Sequence, residues 1–227
     1  MRFAALQPFS MVNWPGRLAA VAFTTGCNLR CRYCHNPALA TGRAEAGITE
    51  EAVIAHLRRR RGQLDGLVVT GGEPTLQPGL GAFLARVRQE GFRVKLDTNG
   101  TRPALVGALL DAGLVDFLAL DLKAAPGAGA WLTGCPGQAE AARRCLRLAL
   151  AAGVDHELRT TLVAPVHDPA ALRAMAEVAR GARRWAFQPF RPGGHLDQEA
   201  PLSVPDRSWV EAAGAAARLV GVEPVLR

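Results

Sequence analysis

Six short apolar runs alternate with amphipathic stretches along the chain. Leu18–Thr25 (LAAVAFTT), Gly66–Thr70 (GLVVT), Phe92–Asp97 (FRVKLD), Asp116–Leu122 (DFLALDL), Val154–Val163 and Arg184–Phe190 have the length and the apolar character of buried strands. The segments between them carry helix signals. Thr49 is a predicted N-cap followed by Glu50 and Glu51, opening a helix that runs to about Arg61. Further helices are predicted over Gly79–Glu90, Pro103–Ala112, Gln138–Ala152, Asp168–Arg180 and Pro205–Leu219. Pro103 starts one, Gly153 ends another, and Asp168 with Pro169 caps a third. Strands alternating with helices imply right-handed βαβ units and a parallel sheet, so the fold class is α/β. Residues 1–18 read as an irregular lead-in with a turn at Asn13-Trp14-Pro15-Gly16, residues 19–219 as a (βα)6 core, and residues 220–227 as a tail. No composition shift or long linker divides the chain, and a single domain is expected.

Composition narrows the classes. With 49% hydrophobic residues among 227, a sizeable core is available and disorder is excluded. No apolar run approaches the roughly 20 residues of a membrane helix. Gln7, Pro8, Ser10, Asn13 and Pro15 interrupt the N-terminal apolar segment before a signal-peptide core forms, so a cytoplasmic, membrane-free protein is expected. The net charge is +7, and its densest basic run, Arg58–Arg61, lies on a predicted helix without interleaved aromatics. That is a solvated basic face rather than a nucleic-acid reader, although it can steer an acidic partner or an anionic small molecule.

The chemistry lies at the C-terminal ends of successive strands, the edge where α/β folds place their sites. Cys27, Cys31 and Cys34 follow the first strand, Gly71-Gly72-Glu73-Pro74-Thr75 the second, Asp97-Thr98-Asn99-Gly100 the third, and Asp121 and Lys123 the fourth. Asp97 and Asn99 share one strand face, as do Asp121 and Lys123, and charges pointing into a sheet's mouth call for a polar ligand. Three thiols within eight residues form a chelating loop of the kind that holds iron–sulfur clusters or zinc. Zinc with His35 as fourth ligand is disfavoured, because adjacent Cys34 and His35 do not readily reach one metal. Cys31-Arg32-Tyr33-Cys34-His35 fits the c-type haem pattern but leaves Cys27 unexplained. Free core thiols do not suit a loop rich in Gly, Asn and Arg. Cys135 and Cys145, ten residues apart, read as isolated thiols.

Cys-x3-Cys-x2-Cys within FTTGCNLRCRYCHNP, with TGGEPTLQP, KLDTNGT, DLKA and HELRTT, resembles the radical S-adenosylmethionine superfamily. Within it, the set is similar to the activating enzymes of glycyl-radical proteins, those of anaerobic ribonucleoside-triphosphate reductase above all. The resemblance implies a partial (βα)6 TIM-like barrel and a 4Fe–4S cluster on Cys27, Cys31 and Cys34, with one iron left open for S-adenosylmethionine. It implies reductive cleavage to a 5′-deoxyadenosyl radical that takes hydrogen from a glycine of the partner, anaerobic ribonucleotide reductase. The electron donor would be flavodoxin or ferredoxin.

The resemblance also distributes roles. Gly71 and Gly72 would lie against the methionine moiety, Glu73 would hold its ammonium, and Lys123, counted with the cysteines as catalytic, its carboxylate. Tyr33 and His35 would meet the adenine, and Asn99 and Asp121 would line the cofactor. Asp97, Thr98 and Asp121 match positions of a monovalent-cation site in related activases. Arg159 would bind the ligand carboxylate or substrate backbone, or pair with Glu157 on its own strand. Arg191 stands near where a related activase has a nucleoside-contacting histidine. His56, His167 and His195 read as surface or loop residues. Three other readings remain: a small-molecule enzyme such as a 7-carboxy-7-deazaguanine synthase, an activase of pyruvate formate-lyase, and a non-catalytic metal-binding or nucleic-acid-binding module.

Overall fold

The structure, a computed structural model, describes residues 1–227. Its centre is one eight-stranded sheet. The strands are β2 (Ala5–Ser10), β3 (Ala19–Thr24), β5 (Gly66–Gly71), β6 (Arg93–Thr98), β7 (Phe117–Asp121), β8 (Asp155–Leu162), β9 (Arg184–Pro189) and β10 (Glu223–Leu226), in spatial order β10-β9-β8-β7-β6-β5-β3-β2. From β3 to β10 every pairing is parallel. Six strands in sequence order, each separated from the next by at least one helix, are the six βα units the periodicity predicts. The outer edges, β2 and β10, do not pair with each other, so the barrel is open on one side.

Two segments depart from expectation. The lead-in is not irregular: Arg2–Phe3 (β1) pairs antiparallel with Ile48–Thr49 (β4), and β2 pairs antiparallel with β3. The tail is not a tail, because β10 extends the sheet beside β9. Both are edge strands carrying a proline, Pro8 in β2 and Pro224 in β10, where a missing N–H costs no ladder bond. An edge strand with mostly exposed side chains has no alternation to read.

The sheet's two faces have opposite characters. The convex face sends Ala20, Ala22, Leu67, Val69, Val94, Leu96, Leu118, Leu120, Leu158 and Trp185 into a 44-residue core. Packed on it are the helices α2 (Glu50–Arg59), α3 (Leu80–Gln89), α4 (Pro103–Asp111), α6 (Gln138–Ala151), α7 (Pro169–Ala179) and α8 (Arg207–Leu219). The concave face carries small residues, Ala19, Val21, Val68 and Ala119, around Phe117. Trp14, from the turn after β2, packs against Phe117 with ring centroids 6.2 Å apart. Gly66 makes room for it, since a Cβ there would come within 2.9 Å of the indole. Small side chains leave the concave face hollow, and the charged ends of β6, β7 and β8 project into that hollow.

Candidate active site

The cysteine loop is strapped down on both sides. Gly26, at φ +84°, turns the chain out of β3. The amides of Gly26 and Cys27 donate to Leu39 and Ala40 of the short helix α1 (Pro37–Ala40), at 2.7 and 3.1 Å. Arg30 and Arg32 donate their amides to Thr133 and Leu132 of α5 (Gly129–Thr133), at 2.8 and 2.9 Å. The Arg30 guanidinium donates to the carbonyls of Cys27, Leu29 and Ala40, while Arg32 pairs with Asp197 and stacks over Trp131. Two arginines within the loop are therefore struts of its backbone.

The three thiols line one cavity of about 290 Å³, together with Tyr33, His35, Gly71, Gly72, Asn99, Asp121, Lys123 and Arg159. Burial pushes the Cys31 thiol up to about 12 and that of Cys27 upward as well. Thiols so placed stay protonated unless a cationic metal centre draws off the proton. Two donors already face Cys27 Sγ, the amide of Leu29 at 3.4 Å and Asn99 Nδ2 at 3.8 Å. N–H donors around a thiolate suit an iron–sulfur site. The Tyr33 hydroxyl is buried in the same wall without a partner. The donor set, the orphaned hydroxyl and the hollow beside them fit a cluster with a polar ligand next to it. His35 is not a fourth metal ligand of the zinc kind: its Nε2 donates to the Arg191 carbonyl at 2.6 Å, and its ring packs 5.7 Å from Phe190.

The GGEP segment binds the fold before it binds anything else. A Cβ on Gly71 would sit 2.3 Å from Thr24 O, and one on Gly72 would sit 2.1 Å from Gly26 O. The glycines thus let the β5 end lie against the cysteine loop, where both also line the cavity. The Glu73 carboxylate is buried, and it accepts from the amide and hydroxyl of Thr75 at 3.0 and 2.6 Å, from Thr98 Oγ1 at 2.7 Å and from the Asn99 amide at 2.7 Å. Burial pushes this carboxyl up and the four donors pull it back. Oε1 takes three of these bonds and Oε2 one, so Glu73 joins β5 to β6 from its buried position.

The concave face holds a chain of alternating charges. Asp97 accepts from Lys95 and, at 2.7 Å, from Arg159. Asp121 accepts from Arg159 Nε at 3.0 Å and from Lys123 Nζ at 2.8 Å. Burial would raise both carboxyls, but the neighbouring cations outweigh it and hold them below the ordinary range. Arg159 ignores Glu157, which pairs instead with Arg227 at 2.6 Å. At the expected cation site, Arg159 bridges Asp97 and Asp121. The oxygens of Asp97 and Asp121 are occupied by ammonium and guanidinium groups, and Thr98 turns to the opposite face to reach Glu73. Arg191 is exposed, outside the cavity, and contributes only its carbonyl.

Several buried residues escape a sequence reading. His167 is fully buried, accepting from the Val163 amide at 2.9 Å and donating to the Lys123 carbonyl at 3.0 Å. His195 is buried too, its ring 5.0 Å from Phe190. His56 remains half-exposed, as expected. Gln138 binds the carbonyls of Asn99 and Asp121 and the amide of Lys123, stapling three motif residues with one amide. Gln188 and Thr161 line both this cavity and a second one of about 380 Å³. Cys145 is an isolated thiol against the Gly100 carbonyl, and Cys135 packs beside the cysteine loop.

Comparison with known proteins agrees with this geometry. Residues 21–179 match the family model of the Radical SAM superfamily. The chain is 30% identical over 221 residues to a candidate glycyl-radical enzyme activating enzyme of Methanocaldococcus jannaschii, covering 95% of this chain and 91% of that one. It is 33% identical over 104 residues to the pyruvate formate-lyase-activating enzyme of Clostridium pasteurianum, covering 44% of this chain and 43% of that one. Among solved structures, a radical SAM methyltransferase from Sphaerobacter thermophilus superposes with a TM-score of 0.69 at 19% identity, over 94% of this chain and 67% of the other, a likeness of fold. On the family match and these motifs, the chain belongs to the radical SAM superfamily, in its glycyl-radical enzyme activating branch, and is an enzyme of the 4Fe–4S cluster and S-adenosylmethionine.

Proposed function

We propose that the chain activates a glycyl-radical enzyme, most specifically an anaerobic ribonucleoside-triphosphate reductase, by generating the radical that takes hydrogen from its glycine. Cys27, Cys31 and Cys34 would hold the cluster, which when reduced would supply the single electron that reductive cleavage of S-adenosylmethionine needs. The residues of this chain bind and shield. Leu29, Tyr33, Ala124, Leu132, Val163 and Phe190 form an apolar shell around Cys31 that excludes water. Lys123 and Arg159 present cations to a ligand carboxylate, each fixed in direction by Asp121. Asn99 holds the Cys27 side of the loop through Asn28 at 3.0 Å.

The observation that carries a protein substrate is the second cavity. It shares Asp121, Lys123, Arg159, Thr161 and Gln188 with the cysteine cavity, and it adds Val12, Asn13 and Arg227 from the two unpaired edges of the open barrel. Val12 stands exposed there beside Met11 in the same turn, 81% and 76% accessible. A side opening with an apolar rim admits a loop of a partner protein, for which a small-molecule site has no need.

The test is anaerobic reconstitution with iron and sulfide, reduction, and addition of S-adenosylmethionine with candidate partners. 5′-Deoxyadenosine and a glycyl-radical EPR doublet on the reductase are expected. A doublet on pyruvate formate-lyase alone would reassign the partner. Cleavage that leaves no radical on any protein but consumes a pterin-derived base would move the chain to small-molecule chemistry. No cleavage product from a fully loaded cluster would sink the catalytic reading.

A further inference from the structure

The second cavity does not end at the barrel mouth. Phe187 lines it and also lines a groove of about 250 Å³ between α8 and β10. Consecutive residues at the end of β10 border one each, Leu226 the groove and Arg227 the cavity. Val210, Gly214 and Arg218, four residues apart along α8, form one wall of the groove, and Pro224 and Leu226 form the other. α8 gives Ala213, Ala216 and Ala217 to the core, so its groove face is a separate one. Gly214 keeps that face open, and the Arg218 guanidinium lies over it, 3.4 Å from where a Cβ would stand. Leu226 is 63% exposed and Leu219, next to Arg218, 74%. Two charges flank these apolar atoms. Glu211 is paired with Arg207 at 2.8 Å, whereas the Arg218 guanidinium has no partner in the chain. β10 is the outermost strand, and its Pro224 blunts the free edge against continuous strand addition. What meets this surface therefore meets side chains rather than a ladder.

We propose that this groove docks the partner protein beside its glycine loop. The occupant is a segment flanking that loop. It passes over the end of β10, sets an apolar side chain between Val210, Gly214 and Leu226, and brings a carboxylate to Arg218. Continuity gives its place, since a segment leaving the side opening next meets Phe187 and Leu226. Charge gives its sign: Arg218 is the unpaired cation of the groove, on a chain of net charge +7. Two points of attachment let the flank carry affinity while the glycine reaches the cysteine cavity. Val210, Gly214 and Arg218 are specificity residues and not catalytic ones, because they line neither the cysteine cavity nor the one beside it. The inference rests on the reading that the side opening admits a loop of a partner protein.

The experiment titrates anaerobic ribonucleoside-triphosphate reductase against the anaerobically reconstituted enzyme and reads the glycyl-radical EPR doublet. S-adenosylmethionine cleavage without a partner is measured alongside. Gly214→Leu fills the groove from an exposed helix face, where leucine is the better helix former, so Tm should not fall. It should raise the KM for the reductase roughly tenfold while kcat and partner-free cleavage stay at the wild-type level. Arg218→Glu should do the same, and added salt should raise the wild-type KM more than that of Arg218→Gln. Ala215→Leu, exposed on the same helix but outside the groove, is the control and should match the wild type. A wild-type KM in both Gly214→Leu and Arg218→Glu overturns the docking. So does a loss confined to kcat or to partner-free cleavage, which would mark a disturbed core rather than a lost contact. If the radical forms on pyruvate formate-lyase instead, the same variants are titrated with that protein and the same outcomes decide. A wild type that cleaves S-adenosylmethionine but leaves no radical on either protein overturns the proposed function, and the docking with it. An active wild type with indifferent variants overturns the docking alone.

Discussion

At the scale of single residues, His167 ties the site to acid stability. Burial pushes its imidazole down to about 4: Nε2 already donates to the Lys123 carbonyl, so a second proton would have to go on Nδ1, displacing the Val163 amide and leaving a charge in the core. A histidine whose folded pKa is depressed contributes stability above its unfolded value near 6.5, and loses it as pH falls toward the folded value. The interval corresponds to about 3 kcal/mol at most. Urea unfolding of the cluster-free chain should therefore weaken between about pH 6.5 and about 4, and His167→Gln should flatten that dependence. An unchanged slope in the variant would remove His167 from the account. In the sequence this residue sits in PVHDP, which reads as a loop; only tertiary burial makes it a ligand of the Lys123 carbonyl. The cysteines are the opposite case, since spacing alone singles them out. Cys31→Ala should lose both iron–sulfur absorbance and S-adenosylmethionine cleavage, and retained colour would show a different ligand set.

At the scale of elements, the β3 and β5 ends are packed with no room for a methyl group. Gly72→Ala would place a carbon 2.1 Å from Gly26 O, a contact with backbone that cannot rotate away. The variant should lose about 1–3 kcal/mol in chemical denaturation and bind substoichiometric iron after reconstitution, because the cysteine loop must shift. Gly137→Ala is the control: its Cβ meets nothing within 4 Å and its φ is −90°, so iron content should stay at the wild-type level. Equal iron in both variants would mean that the GGEP contact does not set the loop. Glycine spacing announces a tight strand end in the sequence, but whether the neighbour is ligand or loop depends on how β5 pairs with β3.

At the scale of the whole molecule, the open barrel is held by its edges. Arg227 reaches from beyond β10 across to Glu157, whose side chain is 1% exposed, and its amide donates to Phe187 O at 2.9 Å. Arg227→Ala leaves that carboxylate without its ion pair and should cost about 1–3 kcal/mol in urea titration, while leaving the iron-loaded cluster intact. A neutral result would mean that the Arg227–Glu157 pair does not hold the edge. The sequence by itself determined the six βα units, because each strand and helix carries its own periodicity and caps. It also determined that the three clustered thiols and the polar motifs meet at one sheet edge, since a parallel sheet forces successive strand ends to the same side. Tertiary packing settled which polar group meets which. Glu73 accepts from Thr75, Thr98 and Asn99, Arg159 chooses Asp97 and Asp121 over Glu157, and Lys95 pairs with Asp97. Those choices depend on distances of a few ångströms between strands far apart in sequence, and in a dry interior each buried charge takes the nearest partner that balances it.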